Sequence, residues 1–466
     1  MKTTLVSTRR SIVRLFTILL VSIGIFATDT LANASPHTIL PGIVWRDTAG
    51  NLLEAHGHGL IKVGSTYYLI GEDKTSGALF QNVNCYSTPD LTTFTFVGHL
   101  LTLQGSGDLG PNRIVERPHV IFNSSTNQYI MYMHIDNTNY SERKTGVATS
   151  STVCGAYTYR GSFKPLGHDS LDDNLFVDGT AGYFMSEDRT NQKLQLYRLS
   201  ADYLSVSSLV ATLNQYEGPA LVKIGSNYFM FGSHLTGWNT NDNQYAHATS
   251  LSGPWSAWQS FAPAGTNTCN SQSTSILTVA GSSTTSYVFL GDRWNPNNLS
   301  DSRYIWEPLN VSGTTMSISC YDSWTIDTAT GIVTKPPDVN DNTLGTGQNQ
   351  FNYSGTWSYG AQTGAYQSDN HWSSTTNNSY QVQFTGTQVK IYSAKNSNHG
   401  IFAVSIDGGS ESNVDLYAGS RADQVLVWTS PTLTRATHTV KVRVTGTKNS
   451  SSSGTAIVAD RVSITP

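Results

Sequence analysis

Five short aromatic strands recur along the first two thirds of this chain. They begin at Tyr67 (Tyr-Tyr-Leu-Ile), Tyr129 (Tyr-Ile-Met-Tyr-Met), Tyr183 (Tyr-Phe-Met), Tyr228 (Tyr-Phe-Met-Phe) and Tyr287 (Tyr-Val-Phe-Leu), at intervals of 45 to 62 residues. Two units are near copies, Gly59 to Tyr68 and Pro219 to Phe229, each with a Gly-Ser turn between strands. That spacing suits one four-stranded propeller blade plus insertions. A blade is apolar on both faces, so blades must stack around an axis. We therefore expect an all-β chain with a five-bladed propeller over residues 35–333.

Composition agrees. Charged residues are only 13%, yet Trp (10), Tyr (23) and Phe (16) are too plentiful for disorder. The 40 Gly, with Asn, Ser and Thr between short apolar runs, favour strands and tight turns. Residues 334–349 are poor in apolar side chains and read as a linker. Period-2 patterns then return, at Val382, Phe384, Val389, Ile391, Phe402, Val404 and Ile406. They predict a β-sandwich over 350–466.

The N-terminus reads as an export signal. Lys2, Arg9, Arg10 and Arg14 precede an apolar run from Leu15 to Ala27, and Ala32-Asn33-Ala34 fits a cleavage site after residue 34. A secreted protein is expected, with no membrane span. Removing residues 1–34 takes four bases and one acid from totals of 28 and 32, leaving a net charge of about −7. No basic stripe remains for nucleic acid. The four cysteines (85, 154, 269 and 320) lack a Cys-x-x-Cys zinc signature. Export makes one or two disulfides reasonable, and three full pairings are open.

Four acids stand near strand ends: Glu72, Glu116 (Val-Glu-Arg-Pro), Asp172 and Glu217 (Tyr-Glu-Gly-Pro). Paired carboxyl groups in different environments are what glycoside hydrolysis needs: one protonated at the leaving oxygen, one group aiding attack at C1. Any one such acid could equally be a solvated turn residue or an Arg partner. His56-Gly57-His58 could offer two metal ligands, but no third is evident from spacing. There is no phosphate-cradling Gly loop and no serine-hydrolase elbow.

Together these segments resemble glycoside hydrolase family 43, in particular its exo-β-1,3-galactanase branch. The matching residues are Glu54-Ala55-His56-Gly57-His58-Gly59, Tyr67 to Lys74, Asn84-Cys85-Tyr86-Ser87, Val115-Glu116-Arg117-Pro118, Ser170-Leu171-Asp172 and Tyr216-Glu217-Gly218-Pro219. The resemblance implies an inverting exo-hydrolase releasing galactose from β-1,3-galactan. It implies Glu217 as general acid, Asp172 as the residue that orients it, and Glu116 as an essential carboxylate at the galactose subsite. Glu72, Arg117 and Tyr140 would be sugar contacts, and Thr236 and Trp238 would face the substrate.

Most of the wider family has a base Asp on the first inner strand. Here Leu52-Leu53-Glu54-Ala55-His56-Gly57 has none. The galactanase branch implies instead that Gln272 holds the attacking water, as an imidic acid. A neutral amide is a poor base, so Glu116 and Glu54 stand as rivals, and Glu54 is also a candidate sugar contact. The C-terminal part resembles a family 35 carbohydrate-binding module, on Gly355-Thr356-Trp357, Phe384 to Tyr392, Ser405 to Gly409 and Ala459-Asp460. Trp357, Trp372, Tyr417 and Asp460 are its candidate contacts.

No cofactor is expected for the chemistry, a structural calcium is possible in the C-terminal domain, and a monomer is expected. Another family 43 activity (arabinofuranosidase, xylosidase or arabinanase) and a non-catalytic glycan-binding propeller are the alternatives.

Overall fold

The computed structural model describes residues 36–335, 338–434 and 436–465, with residues 1, 3 and 4. Apart from those three residues, the expected leader and its cleavage point lie outside the described residues. Among the described residues no helix is long and apolar enough to cross a membrane.

Residues 56–317 form five four-stranded antiparallel sheets, each built from consecutive strands. The first strands are His56–Val63, Arg113–Asn123, Asp173–Asp178, Glu217–Ile224 and Gln272–Ala280. Each touches the next in order, and the fifth touches the first, so the ring closes. The aromatic repeats are the second strands: Thr66–Glu72, Gln128–Asn137, Ala181–Asp188, Asn227–Ser233 and Thr285–Arg293.

Strand geometry explains why the middles of these second strands are apolar on both faces. Successive side chains point to opposite faces, and here each face meets a different neighbouring blade. Leu69 packs between the fifth and first blades, and Ile70 between the first and second. Met131 joins that second layer, while Tyr132 and Phe184 fill the next. Met185 and Met230 fill the layer between the third and fourth blades, Phe229 and Phe289 the one between the fourth and fifth. Val288 and Leu290 return to the starting layer. Five aromatic-rich cores thus alternate with five sheets.

A small sheet seals the seam. His37–Ile39 pairs with Trp324–Ile326, which pairs with Val333–Thr334. Ile39, Trp324 and Ile326 are buried in the core between the fifth and first blades. Two disulfides lie in neighbouring cores: Cys85–Cys154 beside the first and second blades, Cys269–Cys320 beside the fourth and fifth.

The C-terminal part is a β-sandwich. A five-stranded sheet ordered 351–354, 379–386, 436–444, 401–406, 412–415 contributes Val382, Phe384, Val404 and Val442 to one core. A four-stranded sheet ordered 338–340, 461–465, 388–395, 422–429 contributes Val389, Ile391, Val462 and Ile464. The stretch read as a linker therefore contains a strand: Asp338–Asn340 pairs with Arg461–Ser463. Its one apolar residue, Val339, is buried in the sandwich core, a contribution too short for period-2 patterning to reveal.

Cys85 and Cys154 close a loop of sequence separation 69. Replacing both with Ala should lower stability by about 2–4 kcal/mol with the β-rich circular dichroism spectrum retained. Thermal and denaturant melts of the two proteins check this.

Candidate active site

In four of the five inner strands the pairing register slips at the same end. The slips fall between His56 and Gly59, Glu116 and His119, Glu217 and Ala220, and Ser273 and Ser275. Such bulges bend a strand and re-aim its side chains. In three of them the residue at the slip is left-handed: Gly57 (φ 56°), Arg117 (φ 53°) and Gly218 (φ 58°). Arg117 bears this conformation without being glycine. Its N–H donates to Glu72 Oε1 at 2.8 Å, and its guanidinium donates to the Ser273 carbonyl at 3.0 Å and meets Asp172 Oδ2 at 2.9 Å. Those partners hold a backbone that would otherwise relax.

The bulges open a cavity of about 310 Å³. Glu72, Glu116, Arg117, Tyr140, Asp172, Glu217, Trp238 and Gln272 all line it. Glu54 and Thr236 do not. Glu54 is turned away, accepting from the Lys74 N–H at 3.1 Å and from the Ser300 hydroxyl. Thr236 reaches the site through its backbone N–H, 3.0 Å from Glu217 Oε1. A larger hollow of about 580 Å³ opens at the other end of the inner strands. No carboxylate lines it, and the two hollows share no residue, so acid chemistry belongs to the smaller one. His119 and Asn174 tie the inner strands together near the axis, His119 against the Arg117 and Thr274 carbonyls and Asn174 donating to those of Pro219 and Thr274.

Glu217 is 6% exposed. Burial, then the negative charges of Asp172 and Glu187, push its carboxyl up to about 8. Its Oε1 accepts three N–H groups at 3.0 Å, from Thr236, Gly237 and the Gln272 amide. Such donors by themselves favour the anion, against the larger effect of burial and neighbouring charge, and they occupy Oε1. The proton belongs on Oε2. Asp172 accepts the Gly218 N–H at 2.9 Å, which fixes the strand start carrying Glu217.

Glu116 is driven the other way. Burial would raise it, but Lys74 and His134 outweigh that and hold it down at about 2. Lys74 Nζ stands 3.5 Å from its Oε1, and the Tyr140 hydroxyl donates to the same oxygen at 3.0 Å. His134 bridges Glu116 (3.3 Å) and Asp136 (3.0 Å). Against burial, those carboxylates lift His134 to about 10, so it is an imidazolium. A carboxylate near 2 is a weak base but a strong hydrogen-bond acceptor for sugar hydroxyls. Glu72 pairs with buried Lys74 and is therefore also tied up.

Gln272 Oε1 accepts from Trp294 Nε1–H at 2.8 Å and from the Arg117 guanidinium. The two donors set the amide orientation. Its Nε2 contacts the acid directly, so the amide and Glu217 are not separated by the room for water expected of an inverting pair. Lys74, His134, Glu187, Arg189 and Trp294 were not singled out from sequence. Lys74 ends the quoted Tyr67 to Lys74 segment, and its closeness to Glu72 was the available signal. The others lie on second strands and loops whose approach only the fold reveals.

His56 and His58 converge on Asp292: His56 Nδ1 lies 3.1 Å from Oδ1 and His58 Nδ1 3.4 Å from Oδ2. His58 Nε2 accepts from Trp306 Nε1–H. The pair is a carboxylate clamp that anchors the first bulge, with the Gly57 N–H also on Asp292 at 2.7 Å. Among the described residues no group of three or more His, Cys, Asp or Glu could hold a metal ion.

A Cβ on Gly218 would meet the Ser273 carbonyl oxygen at 2.7 Å, in a left-handed conformation. Gly218→Ala should therefore cost about 1–3 kcal/mol and lower turnover more than the melting temperature alone explains. Gly225→Ala, left-handed but with nothing within 4 Å, is the control that should retain turnover. Parallel melts and rate measurements check both.

A model of the family described as glycosyl hydrolases family 43 matches residues 55–283. An exo-β-1,3-galactanase from Phanerochaete chrysosporium, solved with galactose, is 32% identical over 92% of this chain and 100% of its own, with a TM-score of 0.67. A substituted form of that enzyme, solved with β-1,3-galactotriose, is 31% identical over 91% and 99% of the two chains, also at 0.67. An exo-β-1,3-galactanase from Clostridium thermocellum is 32% identical over 74% and 86%, with a TM-score of 0.63. No curated protein matches.

Proposed function

This chain belongs to glycoside hydrolase family 43, in its exo-β-1,3-galactanase branch, and from that membership we propose that it releases galactose from the non-reducing end of β-1,3-galactan with inversion at C1. The observation that carries the reading is the divergence of two carboxyl groups in one cavity, Glu217 raised to about 8 and Glu116 lowered to about 2. Environments that push carboxyl groups apart assign acid and anion roles.

Glu217 Oε2 protonates the leaving oxygen. Glu116, with Tyr140 and Lys74, binds hydroxyls of the terminal galactose. Asp172 and Arg117 orient the acid, and Trp238 and Trp294 wall the sugar. A cavity closed off from the axial hollow favours attack at a chain end. Glu54 is dropped as base and sugar contact because it lies outside the cavity. Gln272 places the water. Its amide must swing from Glu217 as substrate enters, and we assign it no proton transfer: an imidic O–H would face the two donors already on Oε1.

The C-terminal sandwich would hold the enzyme on its polymer and raise local concentration. We propose a structural calcium ion there as well. Asn340 Oδ1, Asp341 Oδ1 and Asp460 Oδ2 are buried oxygens with no hydrogen-bond partner, and the Asp341 N–H donates to the Asp460 carbonyl at 2.8 Å. These side chains would hold it, and the ion would neutralise two carboxylates. Trp357 instead packs against Tyr353 and Tyr380 at the sandwich core, whereas Trp372 is 40% exposed.

Three outcomes are expected. Hydrolysis of linear β-1,3-galactan followed by NMR should show α-galactose first, and Glu217→Gln should lower kcat/KM by about 10²- to 10⁴-fold; an intact, folded protein that cleaves only arabinan or xylan, or binds without cleaving, would replace this reading by an alternative. The acid works when protonated, so activity is lost as pH rises through the Glu217 pKa. Asp172→Asn removes a charge that raises that pKa and should move the alkaline limb of the kcat/KM profile to lower pH. Chelation should lower the melting temperature, calcium should restore it, and Asp460→Asn should blunt both responses.

A further inference from the structure

A groove of about 520 Å³ runs along the flank of the propeller between the third and fourth blades. On one side are the ends of third-blade strands, with Lys193, Thr212 and Asn214. On the other is the segment from Ser252 to Trp258. At its upper end lies Tyr216, the residue before the proposed acid Glu217. Trp258 stacks one face on Tyr216 at 3.9 Å between ring centroids and is only partly buried. Among the described residues its Nε1–H has no acceptor, and it is not a buried orphan, so it meets solvent in the groove. Trp255, also partly buried, is fixed by donating to the Leu251 carbonyl at 3.2 Å. The exposed Asn214 side chain likewise makes no hydrogen bond among the described residues.

We propose that this groove binds the galactan chain on the leaving-group side, carrying sugar units beyond the one that departs with the acid's proton. Two indoles offer flat apolar faces to the apolar face of a pyranose, and Thr, Asn, Ser and the Trp258 N–H offer hydroxyl partners. Lys193 is the sole charged lining residue, so a neutral polyhydroxyl chain fits better than nucleic acid or an acidic peptide. The groove lies beside the acid in the chain: Tyr216, which lines the groove, directly precedes Glu217, which lines the cavity. A chain whose end is held at Glu116 leaves the cavity past Glu217 and meets the groove next. This proposal rests on the galactanase reading above.

The test compares substrates of different length in the full-length protein. Trp258→Ala and Asn214→Ala should each raise KM for long β-1,3-galactan about threefold to tenfold, with kcat unchanged, and leave kinetics on β-1,3-galactobiose as in wild type. Asn214→Ala removes an exposed side chain and keeps the test valid if Trp258→Ala destabilises Tyr216. Equal loss on both substrates, or no change on the polymer, overturns the groove. Wild type that cleaves neither substrate overturns the galactanase reading instead.

Discussion

At one end of the propeller axis the inner strands cannot continue as regular ladders, and the chemistry depends on that. Four register slips at one level turn Glu116, Arg117, Glu217 and Gln272 toward a common space. Arg117 is the hub. It is 4% exposed and left-handed, and it links the first blade through Glu72, the third through Asp172 and the fifth through Gln272 and Ser273. A buried guanidinium is tolerable only when paired. Here its pairing also fixes the distances among the acids.

Burial alone would make every carboxyl group in this cavity neutral. The fold sorts them by distributing cations unevenly. Lys74 and imidazolium His134 stand beside Glu116. Glu217 instead faces Asp172 and Glu187, with Arg189 Nη2 4.0 Å from its Oε2. Arg189 is largely committed to Glu187, its Nη2 donating to Oε2 at 3.0 Å. Glu217 thus keeps a proton at neutral pH while its neighbour across the cavity keeps a charge.

The propeller was legible because its repeat is enforced by packing: each second strand serves two cores, so its middle residues are apolar on both faces, and polar residues gather at the end near the cavity. Glu116 and Glu217 stood out as motifs because each begins a bulge with Pro or Gly-Pro beside it, whereas Asp172 precedes the one inner strand without a slip and stood out only through the family resemblance. What sequence hid was contact across blades. His134 looks like one more residue of an apolar strand. Glu54 was a candidate base because it stands in the first-blade segment where the wider family has an Asp, yet its side chain turns to the Lys74 N–H and the Ser300 hydroxyl. The strand at Asp338–Asn340 was hidden by polar residues, because an edge strand three residues long buries only Val339.

The central claim is that Glu217 and Glu116 differ in protonation inside one cavity. Carbon-13 NMR of the glutamate side-chain carboxyl groups, assigned with Glu217→Gln and Glu116→Gln, measures it directly. The account predicts a Glu217 carboxyl that titrates near 8 and a Glu116 carboxylate still ionised at pH values where ordinary glutamates protonate. A Glu217 that titrates in the ordinary glutamate range, about 4 to 5, would contradict it.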